Sequence, residues 1–247
     1  MIVVGLGRAG CGIAKTFSKF PQYQTYGIDT NKDADITIKA KRSHEEYDAE
    51  FPNLKRRLKF KDEDVLVVIA GAGKISGGAL RLLEQLKNNK ISVLYIEGDL
   101  TIMSETQKRQ ERIVSSILQE YARSGLLEQF IIVNNAYIER SIGDMSIIGY
   151  YDTLNQAIVN IVHMINVFKH SEPVIGNFIV PSEISRICTL GAVTLEGDDY
   201  AEYEEKWFYP LTHTKDVVYY YGIGSDDLKN DGTLFRKINK FVKSKIE

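Results

Sequence analysis

The sequence predicts an α/β protein: a Rossmann-like parallel sheet flanked by helices, with a long central helix and a small α+β C-terminal subdomain. Continuous apolar runs such as "DVLVVIAG" (64–71) alternate with amphipathic stretches over the first 135 residues. Such runs are typical of strands buried on both faces of a sheet. A glycine-rich turn follows the first run, as in sheets that bind ligands at the carboxyl ends of their strands.

Strands and helices are predicted in strict alternation. The expected strands are 1–6, 23–30, 64–71, 91–98 and 129–135. The expected helices are 10–19, 78–89 and 104–125, the last of which begins at a serine cap and ends at a glycine. Repeated β-α-β units with short links favour a parallel, doubly wound sheet.

The chain changes character after its long apolar helix at 149–170. Candidate strands at 185–195 and 216–224 precede a closing helix over 232–246. These patterns predict three regions: a nucleotide-binding domain at 1–148, a central helix at 149–170 and a shortened α+β subdomain at 171–247.

Composition excludes several classes of function. The 247 residues carry a formal net charge of −2, so no global field attracts nucleic acid or anionic lipid. Two cysteines and four histidines lack metal-ligand spacing, which predicts no metal site and a reducing compartment, the cytoplasm. No apolar run approaches the roughly 18 residues that a membrane span needs, and we expect no signal peptide.

The first glycine turn, "VVGLGRAGCGIAKTF" (3–17), has a G-x-G-x-x-G pattern at Gly5, Gly7 and Gly10. Glycines allow the backbone to approach a phosphate, and the following helix offers free N–H groups and a positive dipole end. Asp29 closes the next strand, where the ribose-binding acid of dinucleotide enzymes lies. One hypothesis is therefore an NAD-dependent oxidoreductase.

Other stretches resemble the tubulin/FtsZ superfamily, in the order in which that superfamily has them. "GRAGCGIA" (7–14) is similar to its first nucleotide loop, and "AGAGKISGG" (70–78) occupies the place of its G-G-G-T-G-[ST]-G signature. The further matches are "SETQKR" (104–109), "IIVNNAYI" (131–138) and "YYDTLNQAIVNIV" (150–162). The resemblance covers roughly two-thirds of the chain.

The resemblance implies a role for each matching residue. Glu105 and Arg109 would contact the ribose, while Asn135, Tyr151 and Asn155 would bind guanine through a stacked ring and two amides. Taken singly, Asn135 is better explained as a satisfied loop amide and Tyr151 as a core aromatic, but five matches in order across residues 1–165 favour the nucleotide-binding roles. The phosphates would be held by Gly7, Arg8, Ala9, Gly10, Gly71, Gly73, Lys74, Ser76 and Gly77.

The sequence departs from the superfamily at positions that the superfamily uses for nucleotide binding and catalysis. Gly12 stands where a polar side chain is expected, residues 31–63 are few for the usual connection, and Lys74 and Ile75 replace a glycine and a threonine. Lys74 either neutralises phosphate or faces solvent. The acidic catalytic loop is matched by "GNFIVPSEI" (176–184), where the nearest carboxylate, Glu183, comes one place late.

Three functions follow as hypotheses. The resemblance, with its degenerate catalytic loop, favours a guanine-nucleotide-binding or pseudo-nucleotide-binding protein that assembles with itself or another protein, with weak or absent hydrolysis. The alternatives are an active polymerising GTPase and the NAD-dependent oxidoreductase. The expected cofactor is GTP or GDP with Mg²⁺, or an empty inherited pocket. A viral protein in a host cytoplasm is one expected setting.

Overall fold

A seven-stranded, fully parallel sheet forms the centre of the molecule, with strand order β3-β2-β1-β4-β5-β6-β7. The structure is a computed structural model that describes residues 1–173, 179, 185–193, 205–210 and 212–246. The strands of this sheet are β1 (Ile2–Leu6), β2 (Gln24–Asp29), β3 (Ile36–Thr37), β4 (Asp64–Ala70), β5 (Lys90–Glu97), β6 (Gln129–Asn134) and β7 (Ile187–Cys188).

Helices connect the strands and cover both faces of the sheet. Up to β6 they are α1 (Gly7–Phe17), α2 (His44–Ala49), a 3-10 turn (Lys74–Gly78), α3 (Ala79–Leu86) and α4 (Glu105–Arg123). After β6 come α5 (Asn135–Ile142), α6 (Tyr150–Lys169), α7 (Ser225–Asn230) and α8 (Leu234–Ile246). A two-stranded antiparallel ribbon pairs β8 (Gly191–Ala192) with β9 (Lys206–Trp207).

Alternation along the strands divides the core into two layers. On β1, Val4 packs with the layer that α3 and α4 cover, whereas Val3 packs with the layer that α1, α5 and α6 cover. Tyr95 and Leu94 of β5 divide in the same way. The central strands are apolar on both faces because both are covered, which confirms the predicted fold class.

The chain after α6 joins this core. Strand β7 adds to the sheet beside β6, and Phe208 bridges the two regions: its N–H donates to the Leu190 carbonyl and its carbonyl accepts from the Asn134 N–H, both at 2.8 Å. Leu190 and Phe208 are buried in the α1–α5–α6 layer. The C-terminal region therefore contributes to the same core as the sheet.

Several boundaries differ from the prediction for local reasons. Helix α1 begins at Gly7 rather than residue 10, because the glycine turn is itself the first turn of the helix. Ser104 caps α4 in a capping box with Gln107, which confirms the predicted start of that helix. The strand predicted at 216–224 was wrong: these residues pair with no strand of the described chain, and Tyr219 packs edge-on against Phe241 of α8.

Candidate functional site

The first glycine turn lies at the carboxyl end of β1. Gly7 has a φ of +75°, a left-handed conformation that favours glycine, and it begins α1. No side chain caps this helix end and its first turn contains no acid, while Arg8 and Ala9 are exposed. Free N–H groups at an uncapped N-terminus suit a phosphate, so this part of the site fits the anion that the resemblance implies.

The other two glycines of the motif bring α1 close to the sheet. An added Cβ on Gly5 would overlap the Gly10 carbonyl, and one on Gly10 would lie 2.7 Å from the Val68 carbonyl oxygen. These contacts require glycine for close packing of α1 on β1 and β4. They explain Gly5 and Gly10 without a ligand.

The second glycine turn follows β4. Its backbone is held by Ser76, whose hydroxyl is buried and lies 3.0 Å from the Gly71 carbonyl and 2.6 Å from the Gly73 carbonyl. The Ser76 hydroxyl is thus engaged within the turn, whereas Lys74 is exposed. The second glycine turn therefore exposes the ammonium group of Lys74, whereas Ser76 holds the backbone of the turn through its two hydrogen bonds.

The two glycine turns touch each other. A Cβ added to Gly7 would lie 2.6 Å from Ile75 Cγ2. The isoleucine that replaces the expected threonine therefore covers Gly7 with a methyl group. Any phosphate shared by the turns would lie beside this methyl group rather than beside a hydroxyl.

Helix α6 approaches the same region through Asn155. A Cβ on Gly12 of α1 would lie 2.9 Å from Asn155 Nδ2, so the absence of a side chain at Gly12 leaves room for the amide. Tyr151, one turn earlier, is 68% exposed, and its ring is accessible for stacking. Its neighbour Tyr150 donates to Glu139 at 2.7 Å, which raises the pKa of Tyr150 to about 12.

Two adjacent asparagines at the end of β6 have different environments. Asn134 is buried: its Oδ1 accepts from the Ala136 N–H at 2.9 Å and its Nδ2 donates to Glu97 at 3.0 Å. Asn135, to which the family resemblance assigns a contact with guanine, is half-buried and begins α5. Asn134 thus has a structural role that sequence reasoning missed.

The two residues expected at the ribose lie on the first turns of α4. Glu105 pairs with Lys108 at 2.9 Å and not with Arg109. Both Glu105 and Arg109 are exposed. The preceding segment is close to the second glycine turn, since a Cβ on Gly98 would lie 3.0 Å from Ala72 Cβ.

Sequence reasoning also missed a buried acid beneath the second turn. Glu111 of α4 is 3% exposed, and a Cβ on Gly71 would overlap its carboxylate and the Tyr95 hydroxyl. Burial raises the pKa of Glu111 to about 7; the charge of Glu97 acts in the same direction, and the Tyr95 hydroxyl and the Gly98 N–H act in the opposite one. A signal was available, because Glu111 shares its helix face with the apolar residues Val114, Leu118 and Ala122.

Another buried polar group lies at the far end of that turn. A Cβ on Gly77 would overlap the His44 carbonyl, so α2 packs directly on the turn. The Nε2 atom of His44 is buried without a hydrogen-bond partner, and burial lowers the pKa of this histidine. The short connection over 31–63 therefore still places one helix against the second glycine turn.

Asp29, the residue expected to bind the ribose of a dinucleotide, accepts a hydrogen bond from the next residue in the chain. Asp29 Oδ1 accepts from the Thr30 N–H at 2.7 Å, and Asp35 accepts from the Gly27 N–H at 2.7 Å. Burial and these two acids raise the pKa of the nearby Cys11 thiol to about 12. The thiol is therefore protonated at neutral pH and is not a nucleophile.

Other features lie away from this edge or outside what the structure describes. The candidate catalytic residue Glu183 lies outside the described residues.

Within the described ranges no group of three or more potential ligands is arranged to hold a metal, and no helix there is long and apolar enough to cross a membrane. A groove of about 620 Å³ lies at the opposite, amino-terminal edge of the sheet, lined in part by Tyr23, Lys59 and Lys61.

Solved structures of other proteins share the architecture of this chain. No protein-family model and no curated protein sequence matches the chain. An empty FtsZ dimer from M. jannaschii superposes with a TM-score of 0.56 and 13% identity, covering 71% of this chain and 56% of the FtsZ chain. A point mutant of FtsZ from M. jannaschii gives 0.56 and 14%, covering 71% and 58%.

The chain has a divergent tubulin/FtsZ-like fold. It spans a little over half the length of the FtsZ chains it matches. The fold assignment agrees with the resemblance that the sequence motifs carry. At this level of identity the likeness concerns the fold.

Proposed function

We propose that this FtsZ-like chain binds a guanine nucleotide at the carboxyl edge of its sheet and acts by assembling with copies of itself or with another protein. The observation that carries the proposal is the convergence of three elements. The two glycine turns touch at Gly7 and Ile75, and Asn155 of the central helix reaches the first turn at Gly12. The fold supports the proposal because the turns end neighbouring strands of an FtsZ-like sheet.

Each group has a chemical task in this proposal. The uncapped N-terminus of α1 and the exposed Lys74 supply partial and full positive charge to the phosphates. Tyr151 offers an exposed ring for stacking on the base, and Asn155 and Asn135 offer amides for its donor and acceptor edge. Arg109 supplies a cation near the sugar.

Hydrolysis is weak or absent under this proposal. The stretch that matches the catalytic loop has hydrophobic or hydroxyl side chains at the acidic positions, and a carboxylate that positions water contributes orders of magnitude to phosphoryl transfer. Phosphate release from Mg-GTP should be at background level. Release that falls on Glu183→Ala substitution would instead establish an active polymerising GTPase.

Assembly is tested by sedimentation velocity and electron microscopy of the purified chain with and without Mg-GTP. We expect oligomers or filaments, or a stable complex once a partner is supplied. The oxidoreductase alternative is tested by Asp29→Ala: loss of NAD binding in that variant would support it. Since Asp29 already accepts from its own turn, we expect Asp29→Ala to affect local stability and not guanine-nucleotide affinity.

A further inference from the structure

The Glu111 carboxylate is the buried group that the proposed contacts with nucleotide leave unexplained. Glu111 is 3% exposed, and neither of its carboxylate oxygens has a hydrogen bond of good geometry in the described part of the chain. The Tyr95 hydroxyl and the Gly98 N–H lie near enough to lower its pKa, but they only partly offset burial. A buried carboxylate is normally paired or satisfied by donors, because transfer of the charge out of water is costly. A carboxyl group in this position favours its neutral form.

The carboxyl group is in contact with the second glycine turn. It packs against Gly71 so closely that a Cβ there would overlap Oε2. The Gly71 N–H donates to the Ile96 carbonyl at 3.1 Å and the Gly71 carbonyl accepts from Ser76, so this residue joins the sheet to the turn. A change in the charge or hydration of Glu111 would therefore act directly on the backbone of the turn.

The groups around Glu111 do not supply a counter-charge. From β5, Tyr95 and Glu97 face it, and from the segment after β9 the phenol of Tyr209 lies near. Glu97 is satisfied by two donors, Asn134 Nδ2 at 3.0 Å and the Tyr209 hydroxyl at 3.1 Å. Lys74 on the turn is exposed, and no ion pair joins Glu111 to a basic side chain in the described part of the chain.

We propose that phosphate binding at the second glycine turn is linked to protonation of Glu111, with the neutral acid as the form that binds. This inference rests on the proposed function, because it presupposes that the turn holds phosphate. An ionised Glu111 adds a negative charge directly beneath that phosphate, whereas the neutral acid does not. By linkage, bound phosphate raises the proton affinity of Glu111 to the same extent that protonation raises phosphate affinity.

The linkage operates near neutral pH, since burial places the pKa of Glu111 at about 7. Affinity for nucleotide should therefore fall as the pH rises through that value. For like charges several ångströms apart in a partly screened site, the loss amounts to about tenfold.

The test is calorimetric titration of GDP into the wild-type chain and the Glu111→Gln variant between about pH 6 and 8.5. Glutamine has the shape of the neutral acid and does not ionise. The wild type should lose about tenfold more affinity over this range than Glu111→Gln, and the two proteins should bind with similar affinity at pH 6. Titration of the GDP phosphates cancels because it is common to both proteins. The matched control is Glu120→Gln, an exposed glutamate of the same helix, which should follow the wild type.

The outcomes are distinguishable. Parallel pH profiles for wild type and Glu111→Gln would overturn the linkage while leaving nucleotide binding intact. Failure of both proteins to bind GDP at any pH would refute the proposed function and the linkage with it, whereas failure of Glu111→Gln alone would overturn only the linkage. As a measurement on the wild type, amide NMR resonances of Gly71 and Ser76 should inflect near neutral pH without nucleotide, and flat titrations would also overturn the proposal.

Discussion

Ile75 packs on Gly7, joining the two glycine turns through a methyl group: a Cβ added to Gly7 would lie 2.6 Å from Ile75 Cγ2. The contact has two consequences. It makes Gly7 sensitive to substitution for a steric reason in addition to its φ of +75°. It also means that the geometry of the second turn depends on the first, so damage to either turn should affect both.

Gly7→Ala should destabilise the fold by about 2 kcal/mol or more, because it combines left-handed strain of about 1 kcal/mol with the collision at Ile75. The matched control is Gly149→Ala. Gly149 precedes α6 in the left-handed conformation, with a φ of +81° and a ψ of +10°, and nothing lies within 4 Å of its added Cβ, so it reports backbone strain without a collision. Urea denaturation measures both. Equal losses for the two variants would show that the Ile75 contact is unimportant.

Asn155→Ala should weaken GDP binding by about tenfold, the value of one lost hydrogen bond to the base, and leave stability nearly unchanged. Asn155 is half-buried against Gly12, and in the described part of the chain no hydrogen bond of its amide holds α6 to α1. Asn160→Ala, an exposed position on the same helix, is the control and should bind as wild type. Calorimetry measures the affinities, and a loss shared by both variants would contradict a base contact.

Lys74→Ala should lower affinity for GDP several-fold without changing affinity for guanosine, because an exposed ammonium group acts on phosphate charge and not on the base. Lys87→Ala, an exposed lysine after α3, tests for a general loss of positive charge. The effect of Lys74→Ala should shrink as salt is added. Equal losses for GDP and guanosine would instead indicate a misfolded turn.

Glu111→Gln should stabilise the fold at neutral and alkaline pH. The pKa of Glu111 is raised from 4.5 to about 7 in the folded chain, so the folded state retains a proton that the unfolded state has lost between these values. Wild-type stability therefore falls as the pH rises from 4.5 to 7 and the penalty is constant above that. Relative to the wild type, Glu111→Gln should gain about 3 kcal/mol between pH 4.5 and pH 8. A gain independent of pH would contradict a buried, titrating acid.

Tyr23→Phe should cost about 1 kcal/mol, because it removes a hydroxyl that connects the α1–β2 turn with α6. This hydroxyl accepts from Asn166 Nδ2 at 3.1 Å and shares a second hydrogen bond with His163 Nδ1 at 2.9 Å. The control is Tyr26→Phe, whose hydroxyl bonds only Gln24 at an exposed site and should cost less. Thermal unfolding compares them, and equal costs would contradict the bridge.

Sequence patterning predicts the sheet well and the C-terminal region poorly, for physical reasons. Strands β1, β4 and β5 are apolar on both faces, a signal that needs no knowledge of their neighbours. Strands β7 and β8 are two residues long and exist only because β6 and β9 pair with them. The run 216–224 has strand-like composition, yet it pairs with no described strand: Tyr219 packs on Phe241 of α8 and Tyr220 packs on Phe168 of α6.

The candidate site shows the same contrast between local sequence patterns and contacts that form only in the fold. Motif order selected the two turns, which the structure brings together at Gly7 and Ile75, because glycine patterns are local. The roles of Asn134, Glu97 and Glu111 depend on contacts between elements distant in the chain, which no local pattern encodes. Glu111 was still detectable in principle as an acid within an apolar helix face.

The most direct test of the account is to identify what the purified chain binds. The protein is denatured, any released ligand is identified by mass, and the refolded or exchanged protein is titrated with Mg-GTP, GDP, ATP and NAD. The account predicts saturable binding of guanine nucleotides in preference to ATP and NAD. Binding of NAD with no response to GDP, or uptake of none of the four, would contradict it.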